Sequence, residues 1–468
     1  MNTIIAAQGL TSDPTAGRSL PSINDPLAQL GMKLFFSKSL SGDMDTACAS
    51  CHHPALGGGD ALSLPVGVGA VDPDVVGPGR TRADGLPNVG RHSQSVFNVG
   101  LLDAALFWDG RIESIGKEEG LNGAGSGIRT PHTPLNAADP NAGPNLVAAQ
   151  ARFPVTIPSE MRGSLMPTAT DEEIWDHLAA RIGDYGTGAG ELTNNNWLTE
   201  FQTAFMSAET AENLITFDNI ALAIAEYQRS MVFVDTPWHA YVGGDLTALS
   251  DNAKRGAILF FGDTADQNLD CASCHSGDMF TDEEHHTVGF TQIGPGKGDT
   301  ATGDGDFGRE QQTADTADRF RFRTPTLLNL GATGPYTHAG AFDDLTLALQ
   351  HYFLPDDTRD DFFNDGGACS LDQFQNHPDC PNLFPNSLSH SNSALSKVAT
   401  DRTSAPDRTF PDLSFSPPSD APRLLAFLNA LNDPCVSDRA CVAPWIPDPA
   451  SAPDDNQLNA VDENGNPL

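Results

Sequence analysis

The pentapeptide Cys-Ala-Ser-Cys-His occurs twice in this chain, at residues 48–52 and again at residues 271–275. Two cysteines separated by two residues and followed by histidine form the pattern of c-type haem attachment, in which both thiols bond to haem vinyl groups and the histidine binds the iron. A redox dithiol or half of a zinc site would also contain the two cysteines. Neither copy is followed by a second zinc-type pair, and two buried disulfides would leave both histidines without a role. The sequence therefore predicts two covalently bound haem c groups, held by Cys48, Cys51 and His52 and by Cys271, Cys274 and His275.

Each haem motif follows a segment with the pattern of an amphipathic helix. The segment "DPLAQLGMKLFF" (25–36) places four apolar residues on one helical stripe, namely Leu27, Leu30, Leu34 and Phe35. The segment "SDNAKRGAILFFG" (250–262) has a similar stripe, formed by Ala253, Ala257, Ile258 and Phe261. Ser250 or Asp251 is the candidate N-cap of this helix. A helix, a short loop and then CxxCH is the order in which a cytochrome c fold begins. The repetition therefore predicts two cytochrome c-like domains, each with one haem.

The rest of the chain indicates a mainly α protein with long Gly/Pro loops. Strand-like alternation is scarce, and 44 glycines and 34 prolines favour ordered loops between helices. We predict an N-terminal cytochrome c-like domain at 20–210, a C-terminal one at 211–445 and an acidic, proline-rich tail at 446–468. The apolar segment 216–234 is expected to form a helix at the domain junction. From Pro447 onward the tail has five acidic residues, four prolines and no lysine or arginine, which predicts an extended or disordered segment.

Charge and hydropathy exclude two classes of partner. The chain has 62 acidic and 26 basic residues, for a net charge of −36. Such an excess of negative charge argues against binding to nucleic acid or anionic lipid, because both are themselves negative. No run of 18 apolar residues occurs, so we predict no membrane-spanning helix.

Cysteine usage indicates an oxidising compartment. Four cysteines lie outside the haem motifs, in the last quarter of the chain: Cys369, Cys380, Cys435 and Cys441. We expect disulfides among them, although spacing alone does not fix the pairs. Haem c is attached outside the bacterial cytoplasm, so both features predict a periplasmic, cell-surface or secreted protein of a bacterium. The first residues lack the basic and long apolar regions of a signal peptide, so we expect the mature form of an exported protein.

Three further segments carry a family resemblance. They are "NVGLLDAALFWDGR" (98–111), "FPVTIPSEM" (153–161) and "FRTPTLLNLGATGPYTHAGAFDDLTLALQHY" (322–352). Together with the haem motifs, they resemble the bacterial dihaem cytochrome c peroxidase/MauG family over most of residues 25–433. The resemblance implies that peroxide reacts at the N-terminal haem and that the C-terminal haem is a six-coordinate electron reservoir.

The resemblance also implies a tyrosine ligand at the second haem. In the ordinary peroxidases of the family, a methionine 14 residues beyond the histidine of the PYxHxG motif is the sixth ligand. Here that histidine is His338, and the residue 14 positions later is Tyr352. In having tyrosine at this position, the chain resembles the MauG/MbnH-like members of the family. A phenolate oxygen favours ferric and higher oxidation states of iron, so this haem suits the storage of an oxidising hole.

The local sequence is compatible with this ligand. A helix capped by Asp343 or Asp344 would put three side chains on one face, namely Leu345, Leu349 and Tyr352. The neighbouring His351 and the more distant Met279 are the alternative ligands.

The distal face of the first haem is predicted to be open. In many peroxidases of this family a histidine some 16 residues after CxxCH blocks this face, and the corresponding stretch "SLPVGVGAVD" (63–72) contains none. The resemblance implies three pocket residues, namely Glu160, Gln150 and Pro154. A carboxylate near the iron can move a proton from one peroxide oxygen to the other and so assist cleavage of the O–O bond. We therefore expect peroxide to react here without prior reduction of the protein.

Two further matches concern the space between the haems. Trp108, in "FWDGR", matches the tryptophan that lies between the haems in this family, where an oxidisable indole can relay a hole. Thr333 and Pro335 match residues whose backbone carbonyls bind an inter-haem calcium ion, which prefers oxygen ligands. The third protein ligand is usually asparagine. Here His92 stands at the corresponding position, and Asn98 is a nearby substitute.

These residues predict a MauG-like dihaem oxidase with one calcium ion. It would use hydrogen peroxide to oxidise an aromatic residue, Trp or Tyr, of a partner protein by long-range electron transfer. The first alternative is a dihaem cytochrome c peroxidase that reduces hydrogen peroxide with electrons from a small cytochrome or cupredoxin. The second is a non-enzymatic dihaem electron carrier.

Overall fold

A computed structural model describes residues 1–262, 268–380, 382–413 and 420–468. It is mainly helical, as predicted, and none of the helices in these ranges is long and apolar enough to cross a membrane. The α-helices are α1 (Asn2–Ala7), α2 (Pro26–Phe35), α3 (Leu146–Ala151), α4 (Asp171–Gly183), α5 (Trp197–Ala204), α6 (Ala211–Leu214), α7 (Phe217–Arg229), α8 (Pro237–Val242), α9 (Asp251–Phe261), α10 (Glu310–Thr313), α11 (Leu345–Phe353), α12 (Pro355–Asn364), α13 (Ser387–Ser404), α14 (Ala421–Asn429) and α15 (Arg439–Val442). The short strands are β1 (Ala105–Leu106), β2 (Ile112–Ser114), β3 (Ile128–Arg129), β4 (His285–Thr287) and β5 (Arg321–Arg323). Strands β1, β2 and β3 form one antiparallel sheet in that order, and β4 pairs antiparallel with β5.

The first core forms where α2 packs against α7. Leu30, Leu34 and Phe35 of the predicted stripe are buried in it. The helices touch at Gly31, where an added Cβ would lie 1.8 Å from the carbonyl oxygen of Ala223. Glycine therefore allows the backbones of α2 and α7 to approach each other, and the apolar stripe of α2 packs in the core at this contact.

The second core forms around α9 and α14 in the same way. A Cβ at Gly256 of α9 would lie 2.0 Å from the carbonyl oxygen of Arg423 in α14. Ser250 caps α9 as predicted, because its hydroxyl accepts a hydrogen bond from the Ala253 amide. Ile258 was expected on the buried stripe but is 41% exposed, and Phe260 is buried instead. The reason is that α9 meets α14 along the face centred on Gly256, and Ile258 points away from that face.

The predicted domain boundary between residues 210 and 211 lies too early in the chain. Helix α7 buries Ile220 and Ile224 in the first core, so it belongs to the first half. The change of core comes between Phe233, which packs in the first core, and Trp238, which packs in the second. At the other end, Leu10 packs in the second core, because the N-terminal segment crosses to that half.

The two halves meet at the backbone of Phe233. Asn98 in the first half and Asn329 in the second occupy corresponding positions, each just before a short 3₁₀ turn. Both have left-handed backbone angles, with φ of 62° and 67°. Their side-chain amides donate to the same Phe233 carbonyl, at 3.0 and 2.9 Å. This shared acceptor fixes the start of the loops that carry the "FWDGR" and "PYTHAG" segments.

The C-terminal tail packs on the first core as an extended segment. The Asp454 carboxylate accepts hydrogen bonds from the Trp197 indole at 2.6 Å and the Ser39 hydroxyl at 2.8 Å. Leu458 is buried, and its amide donates to the Phe36 carbonyl at 2.8 Å. The disordered alternative is therefore wrong, because buried groups of the first half donate hydrogen bonds to Asp454 and accept one from the backbone of Leu458.

Candidate functional site

The two CxxCH motifs fold alike. Each begins with one turn of 3₁₀ helix, at Cys48–Ser50 and Cys271–Ser273. In each, the histidine amide donates to the carbonyl of the first cysteine, at 3.0 Å for His52 and 2.9 Å for His275. The four thiols are free, whereas the other cysteines form the disulfides Cys369–Cys380 and Cys435–Cys441, which gives the pairing that spacing left open. Both motifs thus have the thiols and imidazole that covalent haem needs.

The two imidazoles are oriented for iron binding. The Nδ1 atom of His52 lies 3.3 Å from the Gly58 carbonyl, and that of His275 lies 3.1 Å from the Phe280 carbonyl. Since a carbonyl only accepts, each Nδ1 carries the proton and Nε2 is left for a metal. Burial lowers the pKa of both histidines, so both rings are neutral at neutral pH, which is the form that binds iron.

The first cavity has a volume of about 260 Å³, and the first haem motif forms part of its wall. The three predicted pocket residues line the same cavity: Glu160, Gln150 and Pro154. They come from one short segment, 150–160, that the chain folds against the motif. The structure therefore brings the predicted acid–base group and the predicted iron ligand to one space.

Local structure holds these pocket residues in position. Gln150 lies in α3, which Asn145 caps by accepting from the Ala148 amide at 2.9 Å. Glu160 lies in a π-helical turn, Pro158–Arg162. The stretch 63–72 runs directly beside this turn, because a Cβ at Gly67 would lie 2.1 Å from the Ser159 carbonyl oxygen.

Sequence reasoning missed the cations in this cavity. Four basic residues line it: Arg91, Arg111, Lys297 and Arg323. Lys297 belongs to the second half, and its backbone is held by bonds from its amide to the Gly305 carbonyl and from the Gln311 side chain to its own carbonyl. Burial and the neighbouring Arg111 lower the pKa of Lys297, while Glu160 opposes that shift. A lone lysine in a glycine-rich stretch gives no signal by which the sequence could have placed it here.

The second cavity has a volume of about 200 Å³ and contains the second haem motif. Tyr352 lines it, together with Leu345 and Leu349 from the same face of α11. Asp344 caps α11 as predicted, accepting from the Thr346 amide at 2.7 Å. Burial raises the pKa of Tyr352, and the nearby cysteine thiols raise it further, so the phenol keeps its proton unless a cation such as ferric iron displaces it.

The two alternative ligands do not line this cavity within the described ranges. His351 is fully buried and points elsewhere, with Nε2 at 3.0 Å from the Val288 carbonyl and its ring 4.6 Å from that of Phe290. Met279 is also outside the wall of the second cavity. Of the three residues that the sequence offered, Tyr352 is the one that faces the space beside His275.

Trp108 lies in the wall between the two cavities and lines both. Its indole N–H donates to the His92 carbonyl at 3.0 Å, and the His92 amide donates to the His338 carbonyl at 2.9 Å. His338 lines the second cavity and stacks on Phe322, with ring centroids 3.8 Å apart. The indole is therefore fixed between the cavities and linked by hydrogen bonds to the wall of the second.

Arg91 joins the two halves next to this tryptophan. It binds Asp109 at 2.7 Å and Asp306 of the second half at 2.6 and 2.7 Å, and all three side chains are at most 7% exposed. Burial alone would raise the pKa of both carboxyls, but the charge of Arg91 holds them below their ordinary range. The ion-pair cluster thus anchors the residue that follows Trp108 to the second half.

The structure shows where the four predicted calcium ligands lie. Thr333, Pro335 and His92 line the first cavity. Asn98 lies outside the wall of this cavity, and its amide nitrogen and oxygen bond to the carbonyl and amide of Phe233, at 3.0 and 2.8 Å. The calcium site remains a prediction on the carbonyls of Thr333 and Pro335, with His92 or Asn98 as the third ligand.

The chain is similar to known proteins in sequence and in fold. Residues 25–247 match the family model described as di-haem cytochrome c peroxidase. The chain is 29% identical over 323 residues to the methylamine utilization protein MauG of Methylorubrum extorquens strain AM1, covering 69% of this chain and 67% of that protein. It is 27% identical over 328 residues to cytochrome c551 peroxidase of Pseudomonas aeruginosa, covering 70% and 71%. The crystal structure of a MauG-like protein associated with microbial copper homeostasis has a similar fold, with a TM-score of 0.55 and 19% identity, covering 92% of this chain and 97% of that one.

Proposed function

The chain belongs to the dihaem cytochrome c peroxidase/MauG family of oxidoreductases, and from that premise we propose that it is a MauG-like oxidase. It uses hydrogen peroxide to oxidise a tryptophan or tyrosine of a partner protein by long-range electron transfer. The haems, when bound, supply the redox chemistry, and the protein controls ligation, proton movement and the path between the cavities.

The observation that carries this proposal is the tyrosine in the second cavity. An anionic phenolate stabilises oxidised iron better than a neutral thioether, so Tyr352 suits a haem that holds an oxidising equivalent. The apolar side chains Leu345 and Leu349 line the cavity beside it. A methionine-ligated reservoir would instead favour the ordinary peroxidase activity.

The first cavity supports the peroxide half of the proposal. Glu160 can accept a proton from one peroxide oxygen and return it to the other, and Gln150 can hold the substrate by hydrogen bonds. Trp108, in the wall of both cavities, is the relay by which the two sites share oxidising equivalents. The electrons come from an aromatic side chain of the partner, which need not enter either cavity.

Charge and disulfides support an exported protein with a basic partner. A net charge of −36 favours docking of a positively charged surface. The two disulfides fit the oxidising compartment in which haem c is attached. We therefore place the reaction in the periplasm or at the cell surface.

The proposal is tested by replacing Tyr352 in the protein with both haems. In the wild type, electron paramagnetic resonance should show one high-spin and one low-spin ferric haem. Tyr352→Met should keep the second haem low-spin but raise its potential by a sizeable share of the ~0.8 V range that axial ligands span. Tyr352→Phe should leave that iron high-spin. Both variants should still react with peroxide at the first haem but lose oxidation of the second.

His351→Gln is the matched control, because His351 is the neighbouring buried residue that faces away from the cavity. It should keep the wild-type low-spin signal. Two low-spin haems in the wild type, or unchanged low-spin signals in both tyrosine variants, would contradict the proposed ligation. A strict need for one-electron reduction before peroxide reacts would favour the ordinary peroxidase.

A further inference from the structure

Lys297 brings a positive charge from the second half into the first cavity. It lines that cavity together with Glu160 and Gln150, although it belongs to the loop after the second haem motif. The cavity is therefore completed by both halves of the chain.

Close backbone contacts fix the entry of this loop. A Cβ at Gly90 would lie 1.8 Å from the carbonyl oxygen of Gly296, which precedes Lys297. A Cβ at Gly294 would lie 2.1 Å from the side chain of Leu64. Leu64 lies in the stretch 63–72, whose Gly67 packs on the turn of Glu160. The loop of Lys297 and the turn of Glu160 thus pack against the same short stretch of backbone.

The other cations of the cavity already have partners. Arg91 binds two aspartates, and Arg323 donates to the carbonyls of Phe107 and Thr324. Arg111 lies 3.7 Å over the Phe107 ring and 3.6 Å from the Asp109 carboxylate. Within the described ranges, no carboxylate forms an ion pair with Lys297. In the part of the chain that the structure describes, Lys297 therefore keeps its charge without a close carboxylate partner, whereas the carboxylates of Glu160 and Asp109 act on it from a greater distance.

We propose that Lys297 is a positioning residue that makes the peroxide-reactive side of the first cavity selective for small anions, including the hydroperoxide anion. This inference rests on the proposed peroxide site. A partly buried ammonium favours an anion over a neutral ligand of similar size, because only the anion gains Coulomb energy. Two opposite unit charges about 6 Å apart in an effective dielectric of about 20 attract each other enough for a roughly hundredfold gain in affinity, and solvent and the opposing charge of Glu160 reduce this, so we expect about tenfold.

Fluoride and imidazole are the probes that test this charge. Both bind open ferric haem and are measured by optical titration of the diferric protein, so the assay does not need peroxide turnover. Lys297→Met should weaken fluoride about tenfold and leave imidazole within about twofold. Lys297→Arg should restore fluoride binding. Lys297→Gln is the second neutral variant, should the methionine variant lose haem.

Lys254→Met is the matched control. Lys254 lies on α9, its amine donates to the Leu246 carbonyl, and it lies outside the walls of both cavities. It should leave both affinities unchanged. Equal fluoride affinity in the wild type and the neutral Lys297 variants would overturn the proposal. Equal losses for fluoride and imidazole would also overturn it, since they would indicate a rearranged cavity. If the wild type binds neither probe, the first iron is closed, and the proposed function fails rather than the role of Lys297 alone.

Discussion

Replacing Arg91 with methionine should lower the free energy of unfolding by about 4 kcal/mol. The guanidinium makes three short bonds to Asp109 and Asp306, which are 1% and 5% exposed. Removing one partner of a buried ion pair leaves an uncompensated charge, which destabilises a protein by about 3–5 kcal/mol. Here two carboxylates would be left close together in a site that water does not reach. The loss should be measured by urea unfolding followed by circular dichroism.

The pH dependence of this loss gives a second measurement. In the wild type, both carboxyls have a lowered pKa, so their contribution is present above the ordinary aspartate value and disappears as pH falls below it. In Arg91→Met the main cause of the lowering is gone, so burial raises the pKa of both carboxyls, although the charge of Arg111 still acts on Asp109. The carboxyls can then take up protons in mildly acidic solution, so the variant's deficit should be smaller at pH 5 than at pH 8.

Two controls make this prediction specific. Arg359→Met removes an arginine that pairs with Asp356 and Asp360 on the surface of α12, where the carboxylates are 73% and 57% exposed. That change should cost less than about 1 kcal/mol. Adding Asp306→Asn to Arg91→Met should recover part of the loss, because one buried charge is removed. A loss below about 1 kcal/mol in Arg91→Met, independent of pH, would refute the role given to this cluster.

Two further predictions concern the space between the cavities. Trp108→Phe should keep both haems and the peroxide reaction at the first haem. The low-spin electron paramagnetic resonance signal of the second haem should, however, persist after peroxide is added. Rapid loss of that signal would mean that another path joins the haems. Metal analysis should find one calcium ion per chain. Removal of that ion with a chelator should alter the optical spectra of the haems, since Thr333 and Pro335 lie in the first cavity wall. A protein that contains no calcium and whose spectra do not change with the chelator would contradict the calcium prediction.

The local elements of this protein were predictable from its sequence. The CxxCH spacing places the thiols and imidazole within one turn, so both haem sites could be found without knowledge of the fold. The helical period and the capping aspartate put Tyr352 on one face with Leu345 and Leu349, and these three residues do line one cavity. The residues taken from the resemblance, among them Glu160 and Trp108, also meet at the cavities, because whole motifs fold as units.

Contacts between distant segments were decided only by the tertiary structure. The sequence left the tail free to be disordered, but buried groups of the first half bind Asp454 and Leu458. It offered Asn98 to calcium, and only the fold shows that the amide bonds to the backbone of Phe233. It gave Lys297 no role, whereas packing at Gly90 and Gly296 carries the lysine into the cavity of the other half. Spacing along the chain fixes what lies within a turn or a helix, whereas the partner of a charge or an amide depends on which segments pack together.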